Sequence, residues 1–493
     1  MPVMLGGPNL PGWATPRAGK TADMVFSSAI FLFAFLPAFL AIYYLTPRKA
    51  KNLVIVLGSY LFYGWWRLDF LALLIATTLW NFALGLRIVG APARATARRW
   101  LILAIAGNLA VLGYFKYCNF FATSFSAAFL GGAPVSPFLG NVILPIGVSF
   151  FVFQAISYVV DLYRGDAKHA NNLIDFAAFK ALFPQLVAGP VLRYKDLEDQ
   201  FANRTHSFDK FGEGATRFMQ GLARKVLIAD TAAPIADLFF SVPDPTMAES
   251  WLGTVAYAIQ LYFDFSGYSS MAIGLGLMIG FRFTENFNLP YVSRSITEFW
   301  RRWHMSLSAW LRDYLYIPLG GSRKGTVRTY VNLFLTMLLG GIWHGANWTF
   351  VLWGAWHGAI LAIERALGIK PESPRSILAL PLTLLLVAIG WVLFRAPSVD
   401  AAFDIYRGML GFNGIGLRDI YAWQVSGTAL LGVLAGIVVC AVEPYFAAGK
   451  AIEGVRTALR RTAYLSLGAS ALVVLAIGKL IAESESPFLY FQF

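Results

Sequence analysis

The stretch Leu338–Gly358, LLGGIWHGANWTFVLWGAWHG, decides how the chain is read. Two long apolar runs meet there at a histidine, and polar His344 and Asn347 lie between Trp343 and Trp348. An imidazole in the middle of a hydrophobic span is expensive, so an ionisable residue at that depth marks a functional site. The other segments then divide into those that build a site at His344 and those that feed or drain it.

Composition agrees with a membrane setting. The chain has 493 residues, 57% hydrophobic and 16% aromatic, with 14% charged and a mean hydropathy of +0.60. Soluble domains carry about 25% charged residues. Apolar runs of about 20 residues recur from Met24 onward, long enough to cross a hydrocarbon core of about 30 Å. They are continuous rather than alternating, which argues against a β-barrel. The expected class is all-α, a polytopic integral membrane protein with about eleven or twelve transmembrane helices plus re-entrant and interfacial ones.

The net charge of +13 comes from basic residues clustered in short loops between spans. That is the pattern that orients helices during insertion, not a nucleic-acid footprint. Cys118 and Cys440 lie far apart in apolar segments, so neither a disulfide framework nor a metal site follows. No HExxH motif and no G-x-S-x-G elbow occurs, so zinc and a hydrolase-type serine triad have no support. Ser266 and Ser269 beside Asp264 read as packing residues.

In order, spans are expected near 25–45, 53–65, 70–86 and 100–118, followed by an uncharged loop over 119–141 and a span over 142–162. Residues 163–232 carry ten Lys or Arg and eight Asp or Glu and read as cytoplasmic. Within them Phe176–Leu192 is apolar but broken by Pro184, Gly189 and Pro190, a re-entrant pattern. Spans near 213–240 and 251–280 come next. In Glu298–Gly321, Trp300, Trp303, His304, Leu307, Leu311 and Tyr314 fall on one helical face, which predicts a single amphipathic helix at the cytoplasmic interface. Further spans are expected near 329–342, 348–364, 376–394, 427–446 and 463–482, with the His344 turn opening outward. Residues 1–23 form a Gly- and Pro-rich extension expected to be disordered, with Met24 a second candidate start. Residues 24–482 form the transmembrane domain, and 483–493 a periplasmic aromatic tail.

Five long motifs then carry a family resemblance: Leu144–Gly165 (LPIGVSFFVFQAISYVVDLYRG), Phe183–Tyr194 (FPQLVAGPVLRY), Tyr262–Gly276 (YFDFSGYSSMAIGLG), Asn286–Gly321, and WHGANWTFVLWGAWHG. Together they resemble the membrane-bound O-acyltransferases, nearest the bacterial branch that serves alginate O-acetylation and D-alanyl transfer. The resemblance implies a fold with a central tunnel and a catalytic histidine at the position of His344. Imidazole chemistry fits independently, because a neutral ring can take the proton of an acceptor hydroxyl as it attacks a thioester. His304 matches the family's second recurrent polar position and is expected to orient the donor or a partner group. Trp303, Trp343 and Asn347 would support the tunnel.

No bound cofactor is expected; acetyl-CoA is the expected donor, with Arg301, Arg302 and Arg312 (and Arg323 and Lys324) as candidates for its phosphates. Positive-inside topology explains those arginines about as well. His357 lies thirteen residues after His344, about 220° around an ideal helix, and reads as packing; His169 and His206 read as solvated. The tail ends PFLYFQF, which reads either as an interfacial aromatic anchor or, because D-alanylation systems use a small tyrosine-bearing peptide as acyl carrier, as a fused carrier with Tyr490 as acceptor.

The expected function is inner-membrane transfer of acetyl groups to an exported polysaccharide, with alginate first and cellulose, peptidoglycan or D-alanyl transfer as alternatives. The partners would be a periplasmic O-acetyltransferase, a polysaccharide synthesis and export complex, and membrane lipids. A secondary transporter should show matched halves with discontinuous helices, and no internal repeat is visible.

Overall fold

Glycines set how closely the central helices approach. The Thr326–His344 and Trp348–Ala366 helices form a tight hairpin around the quoted stretch. A Cβ added at Gly354 would stand 2.6 Å from the Met337 carbonyl oxygen, and one at Gly358 3.0 Å from that of Phe334. The Phe208–Ala223 and Met247–Met278 helices cross the same way, Gly221 against Gly267 and Gly214 against Gly274. Small residues are what allow close packing where lipid offers no hydrophobic drive between helices.

The computed structural model describes residues 24–131, 142–187, 189–369, 376–449, 472, 474–480, 482 and 489, and all regular elements among them are helical. Met247–Met278, 32 residues long and mostly buried, is the axis against which Phe208–Ala223, Asp230–Phe239, Ala379–Arg395, Val399–Met409 and Gly427–Gly449 pack. Thr246 and Glu249 form a reciprocal cap at its start, and Arg418 closes on Glu249 at 2.6 Å.

Among the described residues, Leu68–Val89, Arg94–Phe129 and Gly427–Tyr445 are long and apolar enough to cross a membrane, and Phe31–Leu45 and Ala379–Arg395 are shorter apolar helices. The central helices fall outside that measure. Met247–Met278 carries Asp264 and Glu249, and Thr326–His344 carries Arg328, Asn332 and His344. Glu249, Asp264, Asn332 and His344 are buried against neighbouring helices, which a hydropathy window does not see.

Several local expectations change. The stretch read as a loop from 119 is helical as Cys118–Phe129, continuing Arg94–Leu112 through a π-turn at Gly113–Tyr117. Lack of charge does not break a helix, and no Gly or Pro occurs before Gly131. The segment predicted as one interfacial helix is two, Ile296–Arg302 and Met305–Leu311, broken at His304 in left-handed backbone at φ 45°. Its apolar face is covered by protein, with Trp300, Trp303, His304, Leu307 and Leu311 all buried, while Arg301 and Arg312 on the other face are exposed. The helix Val399–Met409, capped by Ser398, was not anticipated.

The re-entrant pattern is matched by Leu173–Ala181, a break at Leu182, and Phe183–Leu186. Side chains satisfy its broken backbone: Ser59 Oγ accepts from the Phe183 N–H at 3.1 Å and Ser306 Oγ from that of Val191 at 2.8 Å. His169 and His206 are half-buried rather than solvated. His206 Nε2 lies 2.9 Å from Tyr43 Oη, and burial, with Arg204, Lys51 and Lys210 around it, pushes its pKa down to about 4. Residues 1–23, most of the expected 463–482 span and all of 483–493 except Leu489 lie outside the described residues.

The hairpin packing makes a direct prediction. Gly354→Leu should lower the detergent unfolding temperature, since overpacking costs about 1–3 kcal/mol. Gly212→Ala, where an added Cβ meets nothing within 4 Å, should not. Tryptophan fluorescence melts of both variants check this.

Candidate active site

His344 is the last residue of its helix, so the carbonyls of the final turn have no helical partner. Buried away from solvent, they need donors. The π-turn Gly113–Tyr117 supplies them. Tyr117 Oη donates to the Ile342 carbonyl at 2.9 Å, and Lys116 Nζ donates to those of Trp343 at 2.5 Å and His344 at 2.9 Å. Lys116 is itself buried, with Ser149 Oγ at 3.4 Å. A cation at a helix C-terminus also meets the negative end of the helix dipole. The His344 ring is walled edge-on by Trp343, Trp353 and Phe394 at centroid distances of 5.0, 5.1 and 5.3 Å.

The second histidine reaches the same place from another helix start. His304 is fully buried, its ring centroid 6.3 Å from that of His344 and 4.7 Å from Phe265. Asn286 builds the break that puts it there. The Asn286 carbonyl accepts from the Met305 N–H at 2.9 Å, and its Oδ1 accepts from the Ser306 N–H at 3.3 Å and Ser306 Oγ at 2.8 Å. A backbone N–H can only donate, so that side-chain atom is the amide oxygen. His304 Nδ1, 3.1 Å from it, must therefore carry the ring proton. Nε2 is left as the lone-pair nitrogen; it is buried and has no hydrogen-bond partner among the described residues.

The preceding helix is fixed from the hairpin itself. Glu364 on Trp348–Ala366 accepts from the N–H groups of Ile296 and Thr297 at 2.7 and 2.8 Å and from Thr297 Oγ1 at 2.6 Å. Trp303 lies beside the pair, stacked on Phe299 and 5.0 Å from Trp391, and Trp343 stacks on Phe153 at 4.9 Å.

Asn347 is not at the pair. Its Oδ1 caps the next helix through the Thr349 N–H at 3.1 Å, and its Nδ2 donates to the Pro397 carbonyl. His357 packs on Trp300 and Trp353, as a packing residue should. The 220° estimate assumed one helix, however, whereas the chain breaks at Gly345–Asn347. Arg312 pairs with Asp313 at 2.7 Å and Arg302 with Glu298 at 2.9 Å, while Arg301 is exposed. Tyr490 lies outside the described residues.

A cavity of about 680 Å³ is lined in part by Asn286, the partner of His304, and by Ser266 and Ser269. Its cations are Arg217 and Arg224, paired with Glu285 and Glu443. Among the described residues no group of three His, Cys, Asp or Glu side chains could hold a metal ion.

A family model described as the membrane-bound O-acyltransferase family matches residues 166–368. A probable alginate O-acetylase of Azotobacter vinelandii is 54% identical over 95% of this chain and the whole of that protein. The chain belongs to the membrane-bound O-acyltransferase family. It is therefore an O-acyltransferase and a membrane protein. A peptidoglycan O-acetyltransferase of Helicobacter pylori is 34% identical over 95% of this chain and 98% of its own length. A teichoic acid D-alanyltransferase of Bacillus subtilis is 28% identical over 50% of this chain and 68% of that protein.

For this acyltransferase, Lys116→Met should strand two buried carbonyls beside His344, at about 1–3 kcal/mol each. Acyl transfer per mole of folded protein should fall at least about tenfold, since roughly 1.4 kcal/mol corresponds to a factor of ten. Rate measurements on variant protein that elutes as the wild type does would check it.

Proposed function

We propose that the protein is an inner-membrane acetyltransferase that takes acetyl groups from acetyl-CoA on the cytoplasmic side and passes them outward for O-acetylation of an exported polysaccharide, alginate. The observation that carries this reading is the histidine pair: two neutral-capable rings, 6.3 Å apart between centroids, in an aromatic enclosure reached from two broken helices. The likeness to probable alginate O-acetylases over nearly the whole chain supports the choice of polymer.

In this reading the donor thioester enters through the cavity that Asn286 helps to line, with Arg217 and Arg224 as the cations at its wall. The earlier candidates Arg302 and Arg312 do not line that cavity; they pair with Glu298 and Asp313, as Arg217 and Arg224 pair with Glu285 and Glu443. His344 acts as the base. It takes the proton of an acceptor hydroxyl as that oxygen attacks the thioester carbonyl; the C–O bond forms, the C–S bond breaks, and the leaving thiolate collects the proton as free thiol. The hydroxyl's one proton goes to His344, so His304, its tautomer set by Asn286, offers Nε2 instead as an acceptor for an amide N–H of the donor and so orients the thioester.

The acceptor is the phenol of Tyr490, from which a periplasmic transferase collects the acetyl group for the polymer. Burial of Leu489, the residue before it, inside the helical core supports a tail that reaches the site rather than floating at the interface.

Acetyl content of polymer from cells carrying single variants tests the reading. His344→Ala and Tyr490→Phe should each abolish acetylation by at least about a hundredfold, the scale of losing a general base. His357→Gln should retain most of it. Full acetylation in His344→Ala would sink the base assignment, and full acetylation in Tyr490→Phe the carrier.

A further inference from the structure

One buried ionic cluster has no part in the chemistry above. Lys225, in the π-turn Arg224–Ala229, stands 2.7 Å from both Asp264 and Asp230. Asp264 is 1% exposed and Lys225 2%. Lys225 serves both carboxylates at once, and the carboxylate oxygens it does not reach need further donors in a low-dielectric core.

The missing donor comes from the end of the chain. The Leu489 N–H donates to Asp264 Oδ2 at 2.9 Å, and the Leu489 side chain is 4% exposed within the same apolar cluster as Phe263 and Tyr268. Ten residues earlier, Lys479 Nζ donates to Thr231 Oγ1 at 2.5 Å, next to Asp230. The C-terminal segment thus meets this cluster at two separate points. A tail lying in the lipid interface would leave Leu489 in neither contact. The helix that carries Asp264 also reaches the histidines, since Phe265 on it stands edge-on to His304 at 4.7 Å.

We propose that Asp264, held in place by Lys225, is the docking anchor for the chain's own C-terminal segment, gripping the main chain just before Tyr490 so that the tail is presented to the histidine pair. This rests on the reading of Tyr490 as acceptor and adds the element that positions it. Recognition goes through a backbone N–H and a carboxylate, a charge-assisted bond, so it depends on the presence of an N–H at position 489 more than on the side chain there. Asp264 is a positioning residue: it touches neither donor nor acceptor atoms.

The test uses purified full-length protein in detergent, exposed to a carboxypeptidase that accepts proline, with intact mass reporting the rate of trimming past residue 489 relative to that of a free peptide of the same C-terminal sequence. Leu489→Pro removes the N–H without touching the buried cluster, and Leu489→Ala keeps it. Leu489→Pro and Asp264→Ala should be trimmed at least about tenfold faster than wild type, the scale of one hydrogen bond to a charged group, while Leu489→Ala stays within about threefold. Labelled acetyl on the tail should fall in parallel in Leu489→Pro, measured on variant protein that elutes as the wild type does. Trimming of Leu489→Pro at the wild-type rate overturns the proposal, and that variant decides the matter even if Asp264→Ala fails to fold. The two readings separate cleanly: full polymer acetylation in Tyr490→Phe, with protection of Leu489 intact, removes the carrier and leaves the dock standing.

Discussion

A helix that stops inside a dry core must pass its last carbonyls to donors from elsewhere, and the site depends on that constraint. The Thr326–His344 helix ends at the histidine, and Tyr117 and Lys116 take up three consecutive carbonyls, those of Ile342, Trp343 and His344. The donors come from a π-turn, where the extra residue re-aims side chains that a regular helix would direct elsewhere. The imidazole is therefore fixed through its own backbone while its ring stays among aromatic walls. The ammonium that does this is buried too, and the carbonyls it meets are what make its burial tolerable.

The second histidine follows the same logic in mirror form. His304 sits at the start of a helix, in left-handed backbone, and Asn286 holds the break by accepting from Met305, Ser306 and the His304 ring at once. Ser306 in turn receives the Val191 N–H, so the FPQLVAGPVLRY and NFNLP segments close on one asparagine. Glu364 ties the helix before His304 to the hairpin that carries His344. Two helix ends, each too polar to leave alone, are thus held in register with one another.

Much of this was legible in the residues. The all-helical class followed from continuous apolar runs, and WHG in mid-span singled out His344. Lys116 was equally legible in principle, a lone ammonium between Leu101 and Phe129, yet it reads as an ordinary charge unless the cost of intramembrane polarity is applied to every position. The break at His304 was not legible, because the periodicity from Trp300 to Tyr314 is that of a continuous helix. What overrides it is a tertiary partner, Asn286, eighteen residues away. Asn347 was misplaced for a related reason: nearness in sequence to His344 says nothing once the chain turns, and its side chain caps the next helix instead. The role of Asp264 depends on a residue 225 positions further along the chain, beyond the reach of any local pattern.

Met247–Met278 runs past the cavity, the histidine pair and Leu489, contributing Ser266 and Ser269 to the wall of the first, Phe265 to the surroundings of the second and Asp264 to the hydrogen bond with the third. The central claim is that acetyl passes through the protein's own tail under the action of His344. Purified full-length protein incubated with acetyl-labelled acetyl-CoA, then digested and mapped by peptide mass, tests it most directly. The account predicts label on Tyr490 in wild type and none in His344→Ala. Consumption of the donor with Tyr490 unlabelled, or equal labelling in the two proteins, would contradict it.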